Sequence, residues 1–161
     1  MFKLMKKGVE LVKAYFEDIG MEKKIFAFDN STENAAKAAQ TLGVELGQIA
    51  KSILFFADKT PVLIVISGDK KVDEKKLKSI LSVKKVRLAK PEEVYEITGF
   101  EVGGVSPVGI KNQINVFIDE SLNRFDIIYP AAGESNNMFI TSFDELVKLS
   151  KAKIVNVAKE L

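Results

Sequence analysis

The sequence predicts an α+β domain built on a mixed, largely antiparallel sheet or partly closed barrel with flanking helices. Three observations point there. Two strongly apolar runs, Lys51 to Phe56 and Val62 to Ser67, are joined by the turn-forming Asp58-Lys59-Thr60-Pro61 and read as a hairpin or meander. Helical periodicities recur between short strand-like runs, but without the strict alternation of a doubly wound parallel sheet. At 161 residues and 47% hydrophobic, with no internal repeat and no Pro/Ser-rich linker, the chain is expected to be one domain over 1–161 around one core.

The elements follow in order. Val9, Val12, Tyr15, Phe16 and Ile19 fall at helical spacing and stop at Gly20. Ile25 to Phe28 is a short strand candidate. Asn30 and Glu33 form a capping-box pattern before an Ala-rich helix that ends at Leu42, ahead of Gly43. After the hairpin come a basic helix over Asp73 to Leu81, a strand over Val83 to Leu88, and a helix over Pro91 to Thr98 with proline in its first turn and Gly99 past its end. Strands are expected at Ile114 to Ile118, Asp126 to Tyr129 and Met138 to Thr141. Ser142 and Glu145 then supply a second capping box for the last helix, and Ile154 to Val157 adds a final strand.

The chain has no His and no Cys. That removes Ser-His-Asp and Cys-His nucleophiles, the imidazole general base, and zinc sites made of thiolates or imidazoles. Catalysis is left to Lys, carboxylates, hydroxyls, backbone amides, a bound hard cation or groups of the substrate. Neither a calcium-loop pattern nor a phosphate-binding glycine signature is present, so no metal and no cofactor is expected. No run approaches the roughly 18 apolar residues of a membrane span, and the N-terminus lacks a secretory pattern. A cytoplasmic protein with no membrane partner is expected. No helix-turn-helix or zinc-finger pattern suggests DNA.

Net charge is +2, but it is unevenly spread. Between Asp69 and Lys90 nine basic residues face three acidic ones; between Pro91 and Glu145 ten acids face only Lys111 and Arg124. Such asymmetry fits either a solvated Lys-rich helix and turn or a surface for a polyanion, with Lys70, Lys71, Lys75, Lys84 and Lys85 as candidate contacts.

Three segments could carry chemistry. Lys51 opens the most apolar strand, on the face of Ile53 and Phe55, where a lysine either snorkels from the strand end or meets an anionic ligand in a cleft. Gly103-Gly104-Val105-Ser106-Pro107 is either a tight turn or a loop whose exposed amides receive a carbonyl oxygen or phosphate, with Pro107 fixing its shape. Ala131-Ala132-Gly133-Glu134-Ser135-Asn136-Asn137 is a small, polar turn whose Ala131 and Gly133 could set a pocket's width while Asn136 offers a donor and an acceptor.

At these points the chain resembles the YbaK/prolyl-tRNA-synthetase-associated editing domain family over nearly its whole length. The resemblance rests on Ser31-Thr32-Glu33-Asn34-Ala35-Ala36, on Ile49-Ala50-Lys51-Ser52-Ile53-Leu54-Phe55 with the family lysine, and on Val102-Gly103-Gly104-Val105-Ser106-Pro107-Val108-Gly109 with the family's G-x-x-x-P loop. It implies a freestanding aminoacyl-tRNA deacylase that removes a wrong amino acid, often from the proline tRNA, and a tRNA synthetase as a further partner. Lys51 would hold the terminal adenosine and ester region, and the Gly103 to Pro107 amides the aminoacyl group. Phe28, Thr32, Ser52, Ala131, Gly133 and Asn136 would line the substrate pocket. Water and the substrate's ribose hydroxyl would do the chemistry, as suits a chain without His or Cys. The chain departs from some bacterial relatives at Phe28, Ala131 and Met138, where they have tyrosine, serine and an acid; the more apolar pocket would suit a small group such as alanyl. Two alternatives are a non-catalytic module of the same fold that binds aminoacyl-tRNA or a synthetase, and a hydrolase of a small aminoacyl ester unrelated to tRNA.

Overall fold

The computed structural model describes residues 7–29 and 34–161. Among these, the helices are α1 (Gly8–Asp18), α2 (Ala35–Leu42), α3 (Glu74–Leu81), α4 (Pro91–Thr98) and α5 (Phe143–Ser150). The strands are β1 (Ile25–Ala27), β2 (Ile49–Ala57), β3 (Thr60–Ser67), β4 (Lys70–Val72), β5 (Val86–Leu88), β6 (Asn115–Asp119), β7 (Tyr129–Pro130), β8 (Asn137–Phe139), β9 (Lys153–Val155) and β10 (Ala158–Glu160).

The hairpin forms as its apolar runs predict. Ala50 to Ala57 pairs antiparallel with Ser67 to Thr60, residue for residue. Asp58 turns the chain at φ 54°, and its carboxylate accepts the N–H groups of Lys84 and Lys85, which ties the hairpin to the approach to β5. The central sheet has the order β5-β2-β3-β6-β9, with β7 parallel to the first residues of β2. β3–β6 and β6–β9 are parallel; β2–β3 and β2–β5 are antiparallel. Two antiparallel ribbons, β1–β8 and β4–β10, flank it. The expectation of a mixed, largely antiparallel sheet holds, and no strand path among the described residues closes into a barrel.

Strand alternation sorts the hairpin's side chains into separate cores. Ala50, Leu54, Leu63 and Val65 join the main core with Val12 and Phe16 of α1, Val94 of α4 and Leu146 of α5. Phe55, Ala57, Val62, Ile64 and Ile66 face a second core under Leu77 of α3 and Val72 of β4. At the start of β2, Ile49 joins Ala38 and Ala39 of α2, Met138, and the partly buried Phe28 and Tyr129 in a third.

Several boundaries differ from expectation for local reasons. Asn34 is the observed cap of α2, its Oδ1 accepting from Lys37 N at 2.8 Å; the Asn30 and Glu33 pattern lies outside the described residues. Only half of the Ser142 box forms. Ser142 Oγ accepts from Glu145 N, but the Glu145 carboxylate accepts from Thr141 Oγ1 and pairs with Lys23. The strand expected at Asp126 to Tyr129 is displaced to Tyr129–Pro130, and that expected at Val83 to Leu88 shortens to Val86–Leu88.

The start of α4 carries the most perturbed exposed carboxylate. Arg87 grips Glu93 with two bonds of 2.8 Å, and Lys90 N–H adds a third of 2.9 Å, which together hold the Glu93 carboxyl at about 2. Because the folded value lies below the ordinary one, the stabilisation is present above the ordinary carboxyl range and lost as pH falls toward about 2. Carboxyl-detected NMR titration should find Glu93 titrating near 2, and Arg87→Ala should move it upward.

Candidate active site

Lys51 emerges half-buried from β2, opposite Ile66 of β3, on the face of the second core. It lies one alternation step from Ile49, at the border between the second and third cores. Its ammonium makes no hydrogen bond and no ion pair with any described residue. Burial pushes its ammonium below the ordinary lysine value, and the negative charge of Asp69 partly opposes this. Asp69 is itself fixed by Arg124, with bonds of 2.7 and 3.1 Å to its two oxygens, so it stays ionised below the usual carboxylate range. In the sequence Arg124 is a lone arginine in an acid-rich stretch, with no hint of a partner 55 residues away.

Ser52, next along β2, points to the opposite face with Ala50 and Leu54. Its hydroxyl oxygen is buried and has no hydrogen-bond partner among the described residues. Burying a hydroxyl unpaired is unfavourable by roughly 1–3 kcal/mol. Ser52 is thus a polar group whose hydrogen bond the fold leaves unmade.

The Gly103 to Pro107 loop is largely buried. Val105 and Val108 belong to the main core, and Ser106 is fully buried. Ser106 Oγ accepts from Val108 N at 3.2 Å, which makes that hydroxyl a brace of the loop. Gly103 adopts φ 96°, the left-handed region its missing side chain allows, and Gly104 N–H donates to Glu101 O at 3.0 Å. No hydrogen bond joins the N–H of Val105 or Ser106 to any described residue.

The 131–137 turn links the two regions. A Cβ on Gly104 would lie 2.7 Å from the Glu134 Cα, so loop and turn touch backbone to backbone. On its other flank the turn's Gly133 packs on Gly8 at the start of α1. Asn136 donates from Nδ2 to Phe28 O at 3.1 Å, and Phe28 N–H donates to Asn136 O at 2.9 Å. The Asn136 donor expected to serve a ligand therefore fastens Phe28 to the turn. Ala131 bridges Met138, and Met138 and Phe28 pack beside Ile49 on the Lys51 side of β2. The structure thus brings Phe28, Ala131, Gly133, Asn136 and Gly104 into one continuous assembly, with Lys51 beside Ile49 at its border. Lys51 and the core-facing side chains of the loop lie on opposite faces of β2, and the turn is what spans between them. Thr32 lies outside the described residues.

The five lysines expected to meet a polyanion lie on β4, on α3 and on the approach to β5. Lys71 and Lys75 are exposed on β4 and α3, which cover the same face of the sheet as Lys51; Lys70 is paired with Glu160. Lys84 and Lys85 sit where β5 meets the far end of β2. Among the described residues no helix is long and apolar enough to cross a membrane, and no group of three or more carboxylates is placed to hold a metal ion.

The mixed sheet thus carries a half-buried cation on β2 and a braced glycine loop, in a chain without imidazole or thiol side chains. Residues 29–149 match the model of the aminoacyl-tRNA editing domain, and the chain belongs to that family, the one its sequence resembles. It is 37% identical over 155 residues to the uncharacterized protein YwhH of Bacillus subtilis, covering 95% of this chain and 98% of that one. It is 29% identical over 133 residues to the "Putative Cys-tRNA(Pro)/Cys-tRNA(Cys) deacylase EbsC" of Enterococcus faecalis, covering 82% and 81% of the two chains. A solved structure described as "a putative trans-editing enzyme for prolyl tRNA synthetase" superimposes with a TM-score of 0.89 at 32% identity, covering 97% of this chain and 99% of the other. Family and fold together support an editing role on aminoacyl-tRNA.

Proposed function

We propose that the protein acts in trans as a deacylase that hydrolyses the ester joining a wrong amino acid to tRNA, with the proline tRNA as first candidate. The observation that carries this is Lys51, a half-buried cation in an apolar strand with no ion-pair partner among the described residues, in a chain of the editing family. A cation kept in such a place at the cost of its hydration is suited to a ligand that brings negative charge or electron-rich oxygens. In this reading Lys51 holds the terminal adenosine and ester region. Water adds to the ester carbonyl, the N–H groups of Val105 and Ser106 receive the resulting oxyanion, and the ribose oxygen leaves with a proton to give free amino acid and tRNA. An aminoacyl ester is already activated, so positioning and oxyanion stabilisation can supply the acceleration without a side-chain nucleophile. Phe28 and Met138, in one apolar cluster with Ile49 of β2, give the pocket an apolar wall and favour a small aminoacyl group such as alanyl.

The test is a panel of mischarged tRNAs, including alanyl and cysteinyl esters of the proline tRNA, incubated with the purified protein. Accelerated loss of at least one ester is expected. If every ester decays at its uncatalysed rate, the enzyme reading fails; salt-sensitive tRNA binding without turnover would then favour a non-catalytic module, for which the apolar Phe28 and Met138 wall is the motivating observation.

A further inference from the structure

We infer that a groove beginning at Pro107 is a second contact surface for the sugar-phosphate backbone of tRNA; this rests on the aminoacyl-tRNA reading above. The groove, of about 860 Å³, runs between the 107–117 segment and the C-terminal end of α5. Its apolar surfaces include Tyr15, Val108 and Leu149, and its lining carries Lys111, Lys151 and Lys153 without one Asp or Glu. That is the reverse of what the linear sequence suggests, because Lys111 falls in the stretch where acids outnumber bases ten to two. Folding brings it together with two lysines some forty residues away.

The groove is built rather than incidental. On one bank, Lys111 N–H donates to Thr98 O at 2.9 Å, and the Asn112 side chain donates to Ile97 O at 2.8 Å and Glu96 O at 3.3 Å, which seat the segment on the end of α4. On the other, Lys151 turns the chain out of α5 at φ 56° and Lys153 is locked in register with Phe117. All three lysines are exposed, and among the described residues none is in an ion pair. Three unneutralised cations on fixed banks, with no acid between them, complement a ligand that repeats negative charge along its length. The groove also shares Pro107 with the candidate loop, so a tRNA whose acylated end lies at the loop has backbone within reach of it.

The test uses the triple variant Lys111→Gln, Lys151→Asn, Lys153→Gln, with asparagine at 151 because it tolerates the left-handed backbone. Binding of uncharged tRNA is followed by fluorescence anisotropy over a series of salt concentrations. The slope of log affinity against log salt should become shallower by about 2–3, at roughly 0.7–0.9 per lost phosphate contact, with affinity falling about tenfold or more at low salt. The matching triple arginine variant should keep both slope and affinity. Hydrolysis of a minimal aminoacyl-adenosine ester, which has no phosphates to reach the groove, should be unchanged in the Gln/Asn variant. An unchanged slope in that variant, or equal weakening in the arginine variant, would overturn the proposal. Should no ester be hydrolysed by any form, the deacylase reading fails while the salt slopes still decide the groove.

Discussion

Lys51→Met is expected to cut single-turnover deacylation on the order of a hundredfold or more while raising the melting temperature. The two signs are opposite because the ammonium that serves the ligand in the proposed reaction is held at a desolvation penalty in the free fold. Removing one preorganised electrostatic group from a reacting centre typically loses about 10²–10³ in rate. Met fills nearly the same volume as the lysine stem, so little packing is lost when the charge goes. The burial that lowers the Lys51 ammonium shows that the free protein holds the charged form at a penalty. Relief of that penalty should appear as a higher melting temperature.

The dependence on pH gives a further check of sign. With its folded value below the ordinary 10.5, Lys51 binds fewer protons folded than unfolded across the interval between them. The penalty is therefore complete below the lowered value and fades as pH rises through it toward 10.5. The thermal gain of Lys51→Met should be largest at neutral pH and shrink in alkaline buffer. Calorimetry across that range, paired with single-turnover assays, measures both quantities; a variant that loses activity and stability together would mean that Lys51 is a packing residue.

What was legible in the sequence was whatever one segment decides by itself. The β2–β3 hairpin was readable because both runs are long, apolar and joined by a turn, and α4 because Pro91 and Gly99 mark its ends. Lys51 was readable as a charge in an otherwise apolar strand. The β4–β10 ribbon was not, since Lys-Lys-Val and Ala-Lys-Glu are too short and too charged to look like strands. They pair across more than 80 residues, helped by Lys70–Glu160 and by Lys76 donating to Ala158 O. The same holds in the site. Asn136 looked like a free amide until Phe28, 108 residues away, took its donor. The unsatisfied Ser52 hydroxyl and the Arg124 clamp on Asp69 depend on neighbours that only the folded sheet supplies.

Gly104→Ala should lose about a hundredfold in deacylation and about 1–3 kcal/mol of stability, although it adds one carbon. Its backbone is not in the left-handed region, so the effect is purely one of space. The new Cβ would stand 2.7 Å from both Cα and C of Glu134 and 2.8 Å from its nitrogen. Backbone cannot swing aside as the tip of a side chain can. Nor can the turn retreat, because Asn137 N–H holds Glu134 O at 3.1 Å and Gly133 already rests against the Gly8 backbone. The loop must move instead, and overpacking of this kind is typically unfavourable by about 1–3 kcal/mol. A displacement of about 1 Å in positioning groups can lose about 10²-fold in rate. Gly43→Ala provides the contrast. Nothing lies within 4 Å of its Cβ position, but φ is +69°, so a stability loss of about 1–2 kcal/mol with unchanged turnover is expected. Urea unfolding beside single-turnover kinetics separates the two variants. Full activity in Gly104→Ala would show that the loop's amides take no part in holding the ester.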